Sequence, residues 1–245
     1  MPAVAPRARG GSTSQAAARI LLILDKLGEV PTPAEIAVFP SAVKVVRATS
    51  RLAKLDFWLR NPDYLANELL NDLEAGAIDA PICLGHVERM LKDEAPTLHL
   101  YPMQRYMYGA WELPDNAIAL LKSHDLVNQR RVGEATADNS VRARRDYFLM
   151  EAGERVLANM RAEVDQLSWY DLQADAIDLL NIGPSGAAAR ARQYEQPEYA
   201  ATPIGQIIPT ILGQTRERLR RAAAAHGYNL DEPASEALSQ IGEGK

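Results

Sequence analysis

Asp146 to Ala158 reads DYFLMEAGERVLA. Tyr147-Phe148-Leu149 is a short β-favouring run, and the chain then enters Glu-Ala-Gly-Glu-Arg and a helical pattern. From Glu151 to Leu167 the apolar residues Val156, Leu157, Met160, Val164 and Leu167 form one stripe of that helix. No Ser, Thr, Asp or Asn stands at the junction to accept the first free N–H groups. Glu151 and Glu154 offset part of that loss, because carboxylates in a first turn interact favourably with the helix dipole. A strand running straight into a helix, with Met150 in the capping position, is therefore expected.

Working upstream, Pro114 suits the first turn of a helix running through NAIALLKSHD, with Ile118, Leu120 and Leu121 inward. Leu126-Val127 leads into a strand through Arg131-Val132. GEATADNS follows as a polar loop, and VRARRDYFL as a second strand. Helix, strand, polar loop, strand, helix is the element order of a winged-helix domain. The expected fold class is mainly α with a small β-hairpin: a winged-helix domain with helical additions and a C-terminal helical extension. Many winged-helix strands end in Y-x-L-T-x-x-G, where Thr caps the next helix. Here Met150 replaces that Thr, at a cost of about 1 kcal/mol.

Further towards the N-terminus, residues 16–28 carry apolar side chains on more than one face and stop at Gly28, so a buried helix is expected. SRLAKLDFWL (50–59) has Leu52, Leu55 and Leu59 at helical spacing. Pro62 opens a further helix that Gly76 ends, and a short helix, HVERMLKDE, follows. Residues 1–14 have two arginines with no apolar run behind them and are expected to be a disordered leader. Residues 15–168 then form the winged-helix domain with its helical insertions, and 169–245 a linker and helical extension. The run from Ala174 to Gln206 is expected to be mostly irregular, because Gly183, Pro184, Gly186, Pro197, Pro203 and Gly205 punctuate it. Residues 207–229 read as an amphipathic helix that exposes Arg216, Arg218, Arg220 and Arg221. Ile207, Ile208, Ile211, Leu212 and Leu219 are left to face the core or a partner, and they are the candidate partner-binding residues.

Composition sets outer bounds. The 245 residues are 47% hydrophobic and 24% charged, ordinary for a globular chain. No apolar run approaches the roughly 18–20 residues of a membrane span. A lone cysteine, Cys83, excludes an internal disulfide and Cys-rich zinc frameworks, and the cytosol is the expected compartment. The net charge of −5 means that any attraction to phosphate must come from a local patch.

Chemistry-bearing patterns are sparse. His86, His99, His124 and His226 show no H-x-x-x-H spacing, and His86-x-Glu88 lacks the C-x-x-C of the zinc deaminases. Cys83 and His86 lie at i, i+3, a thiolate pair in principle, although a buried structural cysteine is the simpler reading. Gly183-Pro-Ser-Gly186 has no following Lys-Ser/Thr and reads as a turn. Tyr101, Tyr106, Tyr108 and Trp111 suggest a packed turn around Gly109, with a ligand cage as the sharper alternative. No enzymatic activity, metal or cofactor is expected.

Basic residues say more. Leu126 to Met150 hold Arg130, Arg131, Arg142, Arg144 and Arg145 against Glu134, Asp138 and Asp146, a local excess of two positive charges in a net-acidic chain. Arg142 and Arg144 share one face of a strand, as a wing would present them to phosphates. All five are candidate DNA-binding residues, or else pair with neighbouring acids on an exposed ribbon. The preceding helix offers only Lys122 as a cation beside Asp115 and Asp125, poor equipment for reading a major groove. Lys44, Arg47, Arg51 and Lys54, at spacings of three and four, are expected to form a second basic stripe along a helix.

Three segments carry a family resemblance: RLAKLDFWLRNP (51–62), RYMYGAW (105–111) and YFLMEAG (147–153). In this order they resemble the middle-component proteins of bacterial ABC three-component systems, encoded beside SMC-like ATPases as in Lamassu-type anti-phage defence. The resemblance covers residues 16–165, with Ala110 standing where Y-G-P-W has Pro and Met150 where the cap is expected. It implies a non-enzymatic accessory subunit that docks on an SMC-like ATPase beside a third effector component, with auxiliary contact to double-stranded DNA and none to a membrane. The alternative expectation is a stand-alone winged-helix DNA-binding transcription regulator.

Overall fold

The computed structural model describes residues 12–92, 103, 105–106, 109–110, 115–135, 141–182 and 186–230. The expected leader lies almost wholly outside them, as do most of the aromatic residues at 101–111. Helix α1 (Thr13–Leu27) begins with a reciprocal cap. The Gln15 N–H donates to Ser12 Oγ at 3.1 Å, and the Ser12 N–H donates to Gln15 Oε1 at 2.9 Å. Its run Ile20-Leu21-Leu22-Ile23-Leu24 is buried on every side, which explains apolar side chains on more than one face. α1 is the central helix.

After α2 (Pro33–Val38) come β1 (Ala42–Arg47), α3 (Thr49–Arg60), α4 (Pro62–Glu74) and α5 (Ala80–Lys92). A two-residue hairpin of β2 (Arg105–Tyr106) and β3 (Gly109–Ala110) precedes α6 (Asp115–Ser123), β4 (Val127–Ala135), β5 (Val141–Met150) and α7 (Glu151–Glu163). The protein is mainly helical with a small antiparallel sheet of order β1-β5-β4. Val46, Tyr147, Leu149 and Val127 lie on the sheet face that joins the main core. Val45, Phe148, Met150 and Ala42 lie on the other, closed by Phe39, whose ring centroid is 4.9 Å from that of Phe148.

At the β5–α7 junction, Met150 occupies the cap position with extended backbone and no side-chain cap bond. Its N–H donates to Leu126 O at 3.1 Å, and the next N–H, of Glu151, to Ser41 O at 2.9 Å. Neighbouring carbonyls thus satisfy the N–H groups of the cap residue and of the first helical residue, whereas a Thr hydroxyl would accept from the second or third. The Met150 side chain is 7% exposed in the second apolar cluster. Burying a Met side chain contributes about 1.5–3 kcal/mol against about 1 for a cap, so the exchange favours Met here.

The last third departs from expectation. In place of an irregular linker the chain forms α8 (Leu167–Leu179), α9 (Gly186–Tyr194) and α10 (Pro197–Ala201). Leu167, Tyr170, Ala174 and Ile177 recur at helical spacing and are buried in the main core. Pro197 breaks nothing, because it sits in the first turn of α10 where its missing N–H has no helical partner. The last helix, α11 (Leu212–His226), starts later than expected, after Pro209. The Asp63 carboxylate holds that start, accepting the Ile211 N–H and the Thr210 hydroxyl at 2.8 Å each. Among the described residues no helix is long and apolar enough to cross a membrane.

Candidate interface on the hairpin

Hairpin β4–β5 positions the five candidate arginines. β1 pairs with β5 only from Asp146 to Met150, so residues 141–145 have β4 as their one strand neighbour and extend past the three-stranded part. Because side chains alternate, register divides the arginines between two faces. Arg130, Val132 and Glu134 stand opposite Asp146, Arg144 and Arg142; Arg131 and Gly133 stand opposite Arg145 and Ala143. The sequence reading grouped the arginines as one wing. They form two sets.

On the first face the charges are largely matched. Asp146 is buried, and its Oδ1 accepts from Arg144 Nε at 3.0 Å and from the Ala48 N–H at 3.1 Å. Ala48 has φ +71°, an unusual left-handed conformation for a residue with a Cβ, and it occupies the cap position of α3. One carboxylate thus fixes both the sharp corner from β1 into α3 and an arginine of the hairpin. Arg142 stands opposite Glu134 in register, and its side chain lies outside the described residues. Arg130 is half-buried.

On the second face Arg131 and Arg145 are directly opposite each other and both exposed. Arg145 shares this face of β5 with Tyr147, whose hydroxyl lies 3.0 Å from Thr49 Oγ1. Burial pushes that phenol up, against the opposing effect of Thr49 and Arg145. Asp115, in the first turn of α6, is near enough to act on the same phenol. The outer side of α6 presents Asp115, Asn116, Ala119 and Leu120, with no cation among them.

The second basic stripe does not exist. Lys44 and Arg47 lie on β1, Arg51 and Lys54 on α3, and the corner at Ala48 separates the pairs. Arg47 is bonded to Glu35, at 2.7 Å from Nη2, and to Glu29. Lys54 is 1% exposed; burial first, and then the Arg190 charge, push its ammonium down to about 8. Its Nζ lies 5.9 Å from the Tyr199 ring centroid. Arg51 and Lys54 are buried, and Lys44 and Arg47 are half-buried.

The candidate partner-binding residues divide as well. Ile208, Ile211 and Leu219 are buried in the main core and Leu212 packs against it, which removes them from a partner surface. The cause is the path before α11: the Ile208 N–H donates to Met103 O at 2.9 Å, and the Arg105 N–H to Gln206 O at 2.8 Å, drawing this segment onto the β2–β3 hairpin. Only Ile207 of the five is exposed, at 53%. On α11 itself, Arg218 bonds Asn71 at 2.9 Å, Glu74 at 2.8 Å and also Asn67, while Arg216 donates to Leu91 O at 2.8 Å. Two of the four arginines expected to face solvent therefore tie α11 to its neighbours.

Cys83 and His86 do share α5, but the thiol is fully buried, donates to Leu69 O at 3.3 Å, and is pushed up to about 12 by burial. It is a neutral thiol, unsuited to nucleophilic attack. Among the described residues no group of three His, Cys, Asp or Glu side chains converges as a metal site.

No family model, curated protein or solved structure matches the chain.

Sequence reasoning missed the buried ionic clusters. Arg19 Nε donates to Asp56 Oδ1 at 2.9 Å, with Arg60 Nη1 3.6 Å from the other oxygen. Fully buried Glu68 on α4 accepts from Arg192 Nε at 2.8 Å and from Gln196; Arg192 also bonds Asp72. Asp56 and Arg60 stand one helical turn apart, a visible signal. The partners from α1 and α9 gave none.

Proposed function

We propose that this chain is a winged-helix accessory subunit that docks on an SMC-like ATPase within a bacterial anti-phage complex and makes an auxiliary contact to double-stranded DNA. The observation that carries the reading is the hairpin arm: β4–β5 follows α6, passes beyond β1, and leads without a cap into α7. Sheet order β1-β5-β4, with α1 before β1 and α6 before β4, agrees with a winged-helix module in which α3 to α5 are additions. Buried ionic clusters and a protonated cysteine suit a scaffold with a binding task. The exposed positions of α6 carry no cation and its one lysine, Lys122, is half-buried, which favours a subunit over a stand-alone regulator that reads bases from that helix.

The test is co-expression with the SMC-like ATPase and effector encoded beside it, followed by size-exclusion chromatography. Co-elution in one peak at physiological salt is expected. Elution of this chain alone, with the other two components together, contradicts the reading.

A further inference from the structure

The hairpin's two faces differ in charge. Its first face carries Arg130, Arg142 and Arg144 against Glu134 and Asp146, and Asp146 is occupied by Arg144 and the Ala48 N–H. Its second face, over the described residues of β4 and β5, carries Arg131 and Arg145 and no carboxylate. The other positions of this face past β1 are Gly133, Ala135, Val141 and Ala143, mostly small residues. Like charges directly opposite on a ribbon repel, with Cβ atoms about 5 Å apart, so this pair opposes folding unless an anion meets it. Arginine forks bind phosphate oxygens through paired N–H donors, and a thin two-stranded ribbon of small residues can come close to a duplex.

We propose that Arg131 and Arg145 form a cross-strand clamp on the DNA backbone, one guanidinium to each of two neighbouring phosphates, and that the second face of the hairpin is the DNA-facing one. Arg144 then serves as a positioning residue, holding Asp146 and through it the Ala48 corner from which the hairpin projects. Arg145 stands two residues from Tyr147 on the same face of β5, and the Tyr147 hydroxyl, 3.0 Å from Thr49 Oγ1, ties that strand to the start of α3. Asp115 is exposed in the first turn of α6, where its charge limits how far a phosphate backbone approaches that helix. The inference sharpens the DNA contact of the proposed function and does not depend on which ATPase the subunit joins.

The experiment is fluorescence anisotropy of the full chain with a labelled mixed-sequence 20-base-pair duplex from 50 to 200 mM salt. Two phosphate contacts contribute about 1.8 to the slope of log K against log salt. The Arg131→Ala, Arg145→Ala double variant is expected to lose that much of the slope, whereas Arg142→Ala on the opposite face leaves it unchanged. The pair Arg131→Lys, Arg145→Lys keeps the slope and binds more weakly, which separates charge from fork geometry and covers misfolding of the alanine variant. Three results overturn the clamp: no binding of the wild-type chain at 50 mM salt, equal slopes for wild type and the alanine double variant, or a slope loss in Arg142→Ala matching a single substitution in the pair. Displacement of the duplex by polyglutamate at equal charge concentration also overturns it, in favour of an acidic protein surface. Co-elution with the ATPase is unaffected by any of these results.

Discussion

Gly153 has a local role that its motif position alone does not reveal. A Cβ added there would clash with the Leu126 carbonyl oxygen and lie 2.8 Å from Leu149 Cδ1. Helix α7 therefore begins in close contact with the residue that enters β4, and the same Leu126 carbonyl accepts the Met150 N–H. Gly153→Ala gains about 1 kcal/mol of helix propensity but forces backbone to move, which costs about 1–3 kcal/mol and more where the obstacle is a carbonyl. Overcrowding wins. Urea unfolding of Gly153→Ala is expected to show a loss of about 2 kcal/mol; stability equal to wild type would refute the close-approach reading. The glycine was legible in the sequence because it belongs to a pattern. Its cause was not, because Leu126 lies 27 residues earlier and meets it only across the finished hairpin.

Among the elements, α3 was placed nearly to the residue by its leucines, yet its charged positions were misread. Arg51 and Lys54 looked like a solvated stripe because charged residues usually are, and here α1, α8 and α9 cover them. The same covering makes Asp56 decisive. Burial acts to raise its carboxyl, but the charges of Arg19 and Arg60 and their hydrogen bonds outweigh it and hold it below the usual range. A depressed acid contributes stability above its unfolded value, about 3.9, and that contribution is lost as pH falls through the lower folded value. Glu35, lowered by Arg47 and Thr32 against its own desolvation, acts with the same sign. Asp56→Asn leaves Arg19 and Arg60 buried without their countercharge, and about 3 kcal/mol of stability should be lost at pH 7. Denaturant titrations at pH 7 and pH 3 test this: the gap between wild type and variant should narrow at pH 3. A gap that stays constant would show that the cluster's ionisation is not what Asp56 supplies.

For the molecule as a whole, the pattern of helix, strand, loop, strand and helix around 115–163 was legible because each period is local. The last third was not. Its helices are short and interrupted by Gly and Pro, and their apolar residues make sense only against α1, α3 and α4, distant in the chain. Tyr170, Ile177, Tyr199, Ile211 and Leu219 share one core with Ile20, Trp58 and Leu69, so residues 169–230 are part of the body rather than a linker with a free helix. That body carries the hairpin as an arm: a ribbon fixed at its base by Asp146, Tyr147 and Gly153, with residues 131–135 and 141–145 beyond the edge of β1. Two-stranded ribbons are marginal on their own and exchange their amide hydrogens readily, whereas bound ones are protected. Hydrogen exchange read by mass spectrometry, on the chain alone and in the presence of the proposed SMC-like ATPase partner and duplex DNA, is the most direct test. The account predicts fast exchange across 130–145 in the free chain and strong protection there in the complex, with α1 and α3 slow in both. Protection confined to other elements, with 130–145 unchanged, would contradict it.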